Sequence, residues 1–339
     1  MTDNLHWHDL TTLSIEGKGW TDTRDFYDRL PVRAEGTVRD PVWNLSRDSA
    51  GICARFTSDA TAIHARWSLR KESLAMVHMP ATGVSGVDLY VRMDDTWRWL
   101  GTGRPEAFPD NEAQLCGDLP KGQREYILYL PLYNGVTSVE LGVPEAASLE
   151  PMPTRDTRPV VFYGTSITQG GCASRPGTCH PAILGRMLDR PAINLGFSGN
   201  GKMEREVAEL LGELDPALYV IDCLPNMTAD EVAVRAPELV RILRAAHPET
   251  PILLVEDRTY SDAFLHQDRA ERNRSNRAAL RQAFAELQDV NDLHYMEGEQ
   301  LLGANGDDTV DGSHPTDLGF RRQAEAFFPL LSELLAGRT

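Results

Sequence analysis

A cluster of hydroxyl residues follows an apolar run at residues 160–171, where the sequence reads VVFYGTSITQGG. The run ends at Gly164, and Thr165, Ser166 and Thr168 come next. Three interpretations are open for this segment: a phosphate cradle, a serine nucleophile or an ordinary loop. A phosphate cradle needs G-K-[ST] at Walker spacing after the first glycine, and the segment lacks it. Ser166 taken alone is more simply a turn or N-cap serine. The choice between this interpretation and a nucleophile therefore depends on the residues that follow the other apolar runs.

Small or polar residues stand after three later apolar runs, and their types match the needs of acyl transfer. They are Gly199 in the segment SGNG, Asn226 in LPNM, and Asp311 and His314 in DGSHP. A serine hydroxyl is a poor nucleophile until a base removes its proton, and histidine is best suited to do so near neutral pH. The histidine needs a carboxylate that orients it, and the oxyanion needs donors already in place.

The sequence therefore predicts Ser166 as nucleophile, His314 as general base and Asp311 as the carboxylate that orients the base. The predicted oxyanion donors are the backbone N–H groups of Ser166 and Gly199 and the side-chain amide of Asn226. A glycine at position 199 lets the backbone approach a substrate without a Cβ in the way. Asn226 taken alone could be a turn former, and its place after the third apolar run favours the donor role.

Several nearby residues are rivals for these roles. Ser198 also follows a strand, but the glycines around it are typical of a donor loop. Asp307 and Asp308 could orient the histidine, and the position of Asp311 three residues before it favours Asp311. Asp222 ends an apolar run, and we expect it to be a buried structural partner of loop amides.

Alternating apolar runs and helical patterns in the second half predict the sheet that positions these residues. The runs are PVVFY, AINLGF, LYVIDC, ILLVE and LHYM, which begin at residues 159, 192, 218, 252 and 293. Helical spacing occurs between them, as in MEREVAELLGEL, and the last helix follows Thr316, which can cap it. Strict alternation of strand and helix predicts an α/β fold with a parallel sheet and helices on both faces. Sites in such sheets form at the carboxyl ends of the strands.

The first half of the chain has the pattern of an all-β domain. Segments such as REYILYLPLY and VTSVELGV are rich in β-branched and aromatic residues, and clusters of Gly, Pro, Asn and Asp separate them. Many short strands without a long amphipathic helix predict a sandwich or jelly roll. The proline-rich segment 143–159 is typical of a connector. The sequence thus predicts an accessory β-domain at residues 1–150 and an α/β domain at residues 151–339.

Four tryptophans fall in the predicted β-domain: Trp43, Trp67, Trp97 and Trp99. We expect most of them in the core. Strand alternation places Trp97 and Trp99 on one face, so an exposed pair would suit stacking on sugar rings. The core position is the favoured expectation for this pair too.

Four segments of the second half resemble the sequence blocks of the SGNH (GDSL-type) hydrolases. They are YGTSITQGG, NLGFSGNG, DCLPNM and DGSHPTDLG, in the order in which that family supplies its serine, glycine, asparagine and Asp–His pair. The stretch GVDLY at residues 86–90 resembles a signature of the β-domain that precedes some of these esterases. The resemblance implies a flavodoxin-like hydrolase domain with the roles assigned above. Thr165 replaces the aspartate of the family's Gly-Asp-Ser-Leu block, which indicates a divergent subgroup.

By the same resemblance, members with a preceding β-domain often remove acetyl groups from carbohydrates. The expected activity is hydrolysis of short-chain esters through an acyl-enzyme, with an acetylated sugar as the small-molecule substrate. Two alternatives stay open: a lysophospholipase or thioesterase that acts on longer acyl chains, and a carbohydrate-binding protein whose hydrolase half is inactive. The chain lacks the G-x-S-x-G elbow, which argues against an ordinary α/β-hydrolase.

The net charge and the lengths of the apolar segments argue against nucleic acid and membranes as partners. The 339 residues carry a formal net charge of −16, so nucleic acid and anionic membrane surfaces are expected to repel the protein. No segment reaches the roughly 18 consecutive apolar residues of a spanning helix. A homo-oligomer is compatible with the sequence.

Cysteine and histidine spacing predicts neither a disulfide framework nor a metal site. The five cysteines form no C-x-x-C pair and are expected to be reduced thiols: Cys53, Cys116, Cys172, Cys179 and Cys223. No H-E-x-x-H motif occurs, so we expect no metal and no cofactor. The start MTDNLHWHDL lacks the basic and apolar regions of a signal peptide, and the expected location is the cytoplasm.

Overall fold

The computed structural model describes residues 4–338, which divide into two compact units. The first unit takes residues 4–32, 46–155 and 173–177, and the second takes residues 33–45, 156–172 and 178–338. Each unit is therefore built from more than one stretch of the chain. The domain boundary near residue 150 stays a prediction.

The first unit is an antiparallel β-sandwich. One sheet has the strand order β1-β9-β4-β7, and the other has the order β10-β3-β8-β5-β6, with β2 paired to β3. Side chains from both sheets meet in one apolar core. The strands are β1 (Leu5–Asp9), β2 (Ser14–Glu16), β3 (Cys53–Ser58), β4 (Ile63–Leu69), β5 (Val87–Met93), β6 (Thr96–Gly103), β7 (Asp110–Cys116), β8 (Arg124–Tyr129), β9 (Val136–Pro144) and β10 (Leu149–Pro151). Two short helices, α1 (Asp40–Ser46) and α2 (Ala81–Val84), also occur in the first half of the chain.

The all-β prediction for the first half is confirmed, but two tryptophans depart from the expected core position. Trp43 and Trp67 are buried, as expected. Trp97 is only half-buried, and Trp99 is 53% exposed. The core expectation is therefore wrong for this pair, because alternation assigns residues to a face of a strand but does not determine whether that face is covered.

The second unit contains a five-stranded parallel sheet with the strand order β12-β11-β13-β14-β15. This is the order of a flavodoxin-like doubly wound sheet. Strands β11, β13 and β14 are buried along their whole length, which explains their continuous apolar sequences. The strands are β11 (Val160–Gly164), β12 (Ala192–Gly196), β13 (Leu218–Asp222), β14 (Ile252–Val255) and β15 (Leu293–Met296). The predicted parallel α/β sheet is confirmed.

Six helices alternate with these strands. They are α3 (Ser166–Gln169), α4 (His180–Met187), α5 (Arg205–Leu211), α6 (Ala229–Ala246), α7 (Gln267–Glu286) and α8 (Asp317–Leu335). Helix α4 packs on α8, while α6 packs on both α5 and α7. The side chain of Thr316 accepts a hydrogen bond from the N–H of Gly319, so the predicted cap of α8 is confirmed. Within residues 4–338, no helix is long and apolar enough to cross a membrane.

Strand order determines which loops meet at the carboxyl edge of the sheet. Strand β11 lies between β12 and β13 and pairs with both in parallel register. The loops that follow these three strands are therefore neighbours at one edge, next to the point where the strand order reverses. Those loops carry three of the predicted site residues: Ser166, Gly199 and Asn226.

Candidate active site

Ser166 lies at a sharp junction between strand β11 and helix α3. The strand ends at Gly164, and the hydroxyl of Thr165 caps the helix by accepting a hydrogen bond from the N–H of Ile167 at 3.2 Å. A Cβ built on Gly164 would approach Thr168 Oγ1 to 2.1 Å, so only glycine fits there. The turn thus holds Ser166 as the first residue of a short helix at the carboxyl end of β11.

The loop between β15 and α8 folds locally around the carboxylate of Asp311. One carboxylate oxygen accepts hydrogen bonds from the N–H of Ser313 at 3.1 Å and from the N–H of His314 at 2.8 Å. The N–H of Val310 donates to the carbonyl of His314 at 2.8 Å. Backbone and carboxylate together hold the histidine at a defined position just before α8.

Three predicted residues form a continuous hydrogen-bonded relay. Ser166 Oγ lies 2.9 Å from His314 Nε2, and His314 Nδ1 lies 2.7 Å from Asp311 Oδ2. A carboxylate oxygen can only accept here, so Nδ1 carries the proton that it donates to Asp311. Nε2 of the neutral ring is then the acceptor and can receive the hydroxyl proton of Ser166. The structure therefore brings together the predicted serine, histidine and aspartate.

Asp311 is held in its charged form. Partial burial alone would raise the pKa of Asp311, but hydrogen bonds from the backbone and ring of His314, together with the N–H of Ser313, hold it below its ordinary value. The carboxylate is therefore ionised at neutral pH. A fixed negative charge against Nδ1 stabilises the positive charge that the ring acquires when Nε2 takes a proton.

Gly199 and Asn226 lie on two loops that contact each other. Gly199 has a φ of +68°, a conformation that L side chains rarely adopt, and a Cβ built there meets no atom within 4 Å. The amide nitrogen of Asn226 lies 3.4 Å from the carbonyl oxygen of Phe197. With the amide turned by 180°, its oxygen accepts hydrogen bonds from Asn200 at 3.1 Å and Gly201 at 3.3 Å. In that orientation the loop of Gly199 holds the oxygen and leaves the NH₂ group to donate.

Two residues that the sequence analysis did not single out hold the loop of Gly199 in place. Gln169 Oε1 accepts a hydrogen bond from the N–H of Ser198 at 3.0 Å. Arg39 Nη1 donates to Asn200 Oδ1 at 2.9 Å. Gln169 belongs to the same helix as Ser166, so it connects the turn at Ser166 to this loop. No local sequence pattern identifies either residue, because both contacts join distant parts of the chain.

Asp222 forms a buried ion pair beneath this edge of the sheet. Arg258 Nη2 lies 2.7 Å from Asp222 Oδ2, and a second contact joins Nη1 to Oδ1. Thr168, from the helix of the serine, donates to Asp222 at 3.4 Å, and Gln323 accepts from Arg258 at 3.0 Å. The expectation that Asp222 is buried is correct. The expected partner was wrong: the carboxylate pairs with a guanidinium rather than with loop amides.

The rival residues have other contacts. Asp308 is buried and accepts a hydrogen bond from Arg322 Nη1 at 2.9 Å, while Asp307 accepts one from Asn305 at 2.5 Å. The N–H of Ser198 donates to Gln169 in the loop beside Gly199, as a structural role requires. Asp311 is therefore the carboxylate that contacts the histidine.

The described residues offer no metal site near this relay. Across residues 4–338, no group of three or more His, Cys, Asp and Glu side chains could hold a metal ion. Cys172 and Cys179 are free thiols and both are buried. Burial and the nearby charge of Asp311 raise the pKa of Cys172 to about 12, so this thiol stays protonated at neutral pH.

Two family profiles match the chain, one to each half. The GDSL-like lipase/acylhydrolase family matches residues 157–332. The GxDLY profile, described as the N-terminus of Esterase_SGNH_hydro-type proteins, matches residues 5–149. Comparison with curated protein sequences gives no significant match.

Solved structures with the same fold cover nearly the whole chain. A protein described as a GDSL-like lipase from Bacteroides ovatus ATCC 8483 is 33% identical over 98% of both chains, with a TM-score of 0.94. The salicylyl-acyltransferase SsfX3 of a tetracycline biosynthetic pathway is 19% identical over 97% of both chains, with a TM-score of 0.76. A family two carbohydrate esterase from Clostridium thermocellum, solved with cellohexaose, is 14% identical over 85% of this chain and 93% of its own, with a TM-score of 0.60. At the two lower identities the likeness concerns the fold alone.

Proposed function

Because the chain belongs to the GDSL-like lipase/acylhydrolase family, we propose that it is a serine esterase in which Ser166, His314 and Asp311 form the catalytic triad. The observation that carries this proposal is the relay of hydrogen bonds from Ser166 Oγ through the imidazole to Asp311, at 2.9 and 2.7 Å. Those distances fall within the range in which a base can take a proton directly. Family membership alone would not support this chemistry if Ser166, His314 and Asp311 lay too far apart for hydrogen bonds.

The reaction proceeds in two acyl-transfer steps. Ser166 Oγ attacks the ester carbonyl carbon while its proton passes to His314 Nε2, and the carbonyl electron pair moves to the oxygen. The tetrahedral intermediate then collapses, the bond to the alcohol breaks, and the imidazolium returns its proton to the departing oxygen. Water repeats the sequence on the acyl-enzyme, which releases the carboxylic acid and restores the serine hydroxyl.

The oxyanion is held by donors from the loops around the serine. We assign this role to the N–H groups of Ser166 and Gly199 and to the side-chain NH₂ of Asn226. The open space at Gly199 supports this assignment. So does the turned amide of Asn226, whose oxygen accepts from the same loop and whose NH₂ group is left to donate. Such donors act strongly because they are already in place when charge develops on the oxygen.

Replacement of Asn226 by Ala is expected to lower kcat by about 10²–10³-fold with little change in KM, since the donor acts mainly in the transition state. Steady-state hydrolysis of p-nitrophenyl acetate measures both constants. The control is Asn305→Ala, which removes an exposed asparagine amide that donates a hydrogen bond to Asp307. Equal kcat values for the two variants would remove Asn226 from the oxyanion site.

The proposed substrate class is a short-chain ester on a carbohydrate, with acetyl as the acyl group. A fold shared with carbohydrate esterases supports this choice. The net charge of −16 also fits a neutral sugar better than an anionic phospholipid. The longer-chain alternative, a lysophospholipase or thioesterase, differs in the acyl group that it prefers.

A substrate panel tests this proposal. The purified protein is offered p-nitrophenyl esters from acetate to octanoate, an acyl-CoA, and acetylated xylose, mannose and glucose derivatives. The proposal expects kcat/KM to be highest for acetyl esters and expects release of acetate from at least one sugar. Faster cleavage of octanoate or acyl-CoA would favour the longer-chain alternative, and no turnover of any ester would favour the inactive carbohydrate-binding protein.

A further inference from the structure

The first unit contains a cavity of about 650 Å³ whose lining residues all belong to that unit. Its volume falls within the roughly 300–1,000 Å³ of small-molecule sites. Strands β6 and β7 form most of the wall, and the segment 173–177 contributes Ser174 and Arg175. The lining includes one large aromatic side chain, Trp99, which is 53% exposed.

A hydrogen-bond network fixes the indole of Trp99 in place. Its Nε1–H donates to Thr102 Oγ1 at 3.1 Å, and the Thr102 hydroxyl donates to Asp88 Oδ1 at 3.2 Å. Asp88 is fully buried and lies in the GVDLY stretch. A half-exposed aromatic ring anchored to a buried carboxylate is preorganised, so a ligand that packs on it does not have to order it first.

Asp88 also anchors the cation beside that ring. Arg175 Nη1 donates to the two carboxylate oxygens of Asp88 at 2.9 and 3.0 Å, and the N–H of Gly177 donates to the same carboxylate at 2.9 Å. The guanidinium carbon of Arg175 lies 5.1 Å from the centre of the Trp99 ring. One buried group therefore sets the positions of an aromatic surface and of a hydrogen-bond donor on the same wall.

The charges of the wall balance, which indicates the type of ligand. The lining carries two positive and two negative side chains: Arg104, Arg175, Glu106 and Glu112. Their ion-pair partners outside the lining also cancel, because Asp88 pairs with Arg175 and Arg66 pairs with Glu112. A balanced wall gives no net attraction to anions or cations. Its guanidinium, carboxylate, amide and hydroxyl groups can both donate and accept hydrogen bonds, as a molecule rich in hydroxyls requires.

From these observations we propose that the cavity at Trp99 is a binding site for a neutral saccharide. The apolar face of a pyranose ring packs on the indole, and ring hydroxyls bond to the polar groups of the wall. The site needs no ester and no nucleophile, so it goes beyond the proposed esterase activity and does not depend on it.

Calorimetric titration of the full chain with unacetylated oligosaccharides tests the site. The probes are xylohexaose, mannopentaose and cellohexaose, with trigalacturonate as the anionic comparison. We expect at least one neutral probe to bind with a dissociation constant below about 10 mM, and trigalacturonate to bind at least about tenfold more weakly. The Trp99→Ala variant is expected to lose at least tenfold in affinity, and Trp99→Phe to keep part of it because a ring remains.

Trp97→Ala is the matched control, because it removes an indole from the same strand without changing the cavity wall. Its affinity is expected to stay within about twofold of the unchanged protein. Thermal melts of each variant establish that it is folded. The proposal would be overturned if Trp99→Ala bound the saccharide as tightly as the unchanged protein. The same result is expected if the saccharide binds at the catalytic serine instead. Failure of all three neutral probes to bind would also overturn the proposal. Neither result depends on esterase turnover, so failure of this site is distinct from failure of the proposed function.

Discussion

Replacement of Ser166 by Ala is expected to lower kcat/KM for p-nitrophenyl acetate by at least about 10³-fold. The variant keeps the fold, because alanine fits the first position of α3 and the cap of this helix is the Thr165 side chain rather than the serine. It loses the hydroxyl oxygen that lies 2.9 Å from His314 Nε2, so no acyl-enzyme can form at that position. Residual turnover would come from the remaining oxyanion donors acting on water.

Ser198→Ala is the matched control for this prediction. Ser198 is the other serine that follows a strand in this region, but its backbone N–H, not its hydroxyl, contacts Gln169. We expect its kcat/KM to fall by less than about tenfold. A Ser166→Ala variant that retains turnover within tenfold of the unchanged protein, or a larger loss in Ser198→Ala, would contradict the assignment of the nucleophile.

Replacement of Arg258 by Ala is expected to lower the free energy of unfolding by about 3–5 kcal/mol. Arg258 and Asp222 are 2% and 1% exposed, so the variant leaves a buried carboxylate without its cation. The cost of an uncompensated buried charge exceeds that of the lost contact alone. Because Thr168 donates to the same carboxylate, we expect the change also to loosen the helix that begins at Ser166. Urea denaturation measures the effect on stability.

An exposed pair of the same chemistry supplies the control. Arg241 and Asp289 are joined at 3.0 Å, but their side chains are 55% and 64% exposed. Arg241→Ala is expected to lower the free energy of unfolding by less than about 1 kcal/mol. A double variant of Asp222 and Arg258 to Ala should be less destabilised than the sum of the two single variants, because it leaves no buried charge behind. If Arg258→Ala and Arg241→Ala lowered the free energy of unfolding by similar amounts, burial would not explain the contribution of the Arg258–Asp222 pair to stability.

Local patterns in the sequence were sufficient to predict the sheet and the loops of the site. Five continuous apolar runs became the five parallel strands, and Thr316 caps the last helix as expected. Placement of Ser166 and His314 at the same edge follows from the rule that parallel strands end together. Helices α3 and α4 were not predicted, because they have only four and eight residues, which is too short for a clear helical period.

The contacts that support the site could not be predicted in the same way. Arg258 pairs with Asp222 across 36 positions of sequence, and Arg39 reaches Asn200 across 161. Charge pairing across such distances depends on the tertiary fold, which periodicity does not encode. The exposure of Trp99 also depends on the tertiary fold. Strand alternation determines which face of β6 carries this side chain, but not whether other residues cover that face.

Labelling with a fluorophosphonate, which reacts with activated serine hydroxyls, followed by peptide mass spectrometry, would identify the nucleophile directly. We expect a single adduct on Ser166 that disappears in the His314→Ala variant, because the hydroxyl then has no base 2.9 Å away. An adduct on a different serine, or equal labelling of Ser166 without His314, would contradict the assignment of Ser166 as the nucleophile and His314 as its base.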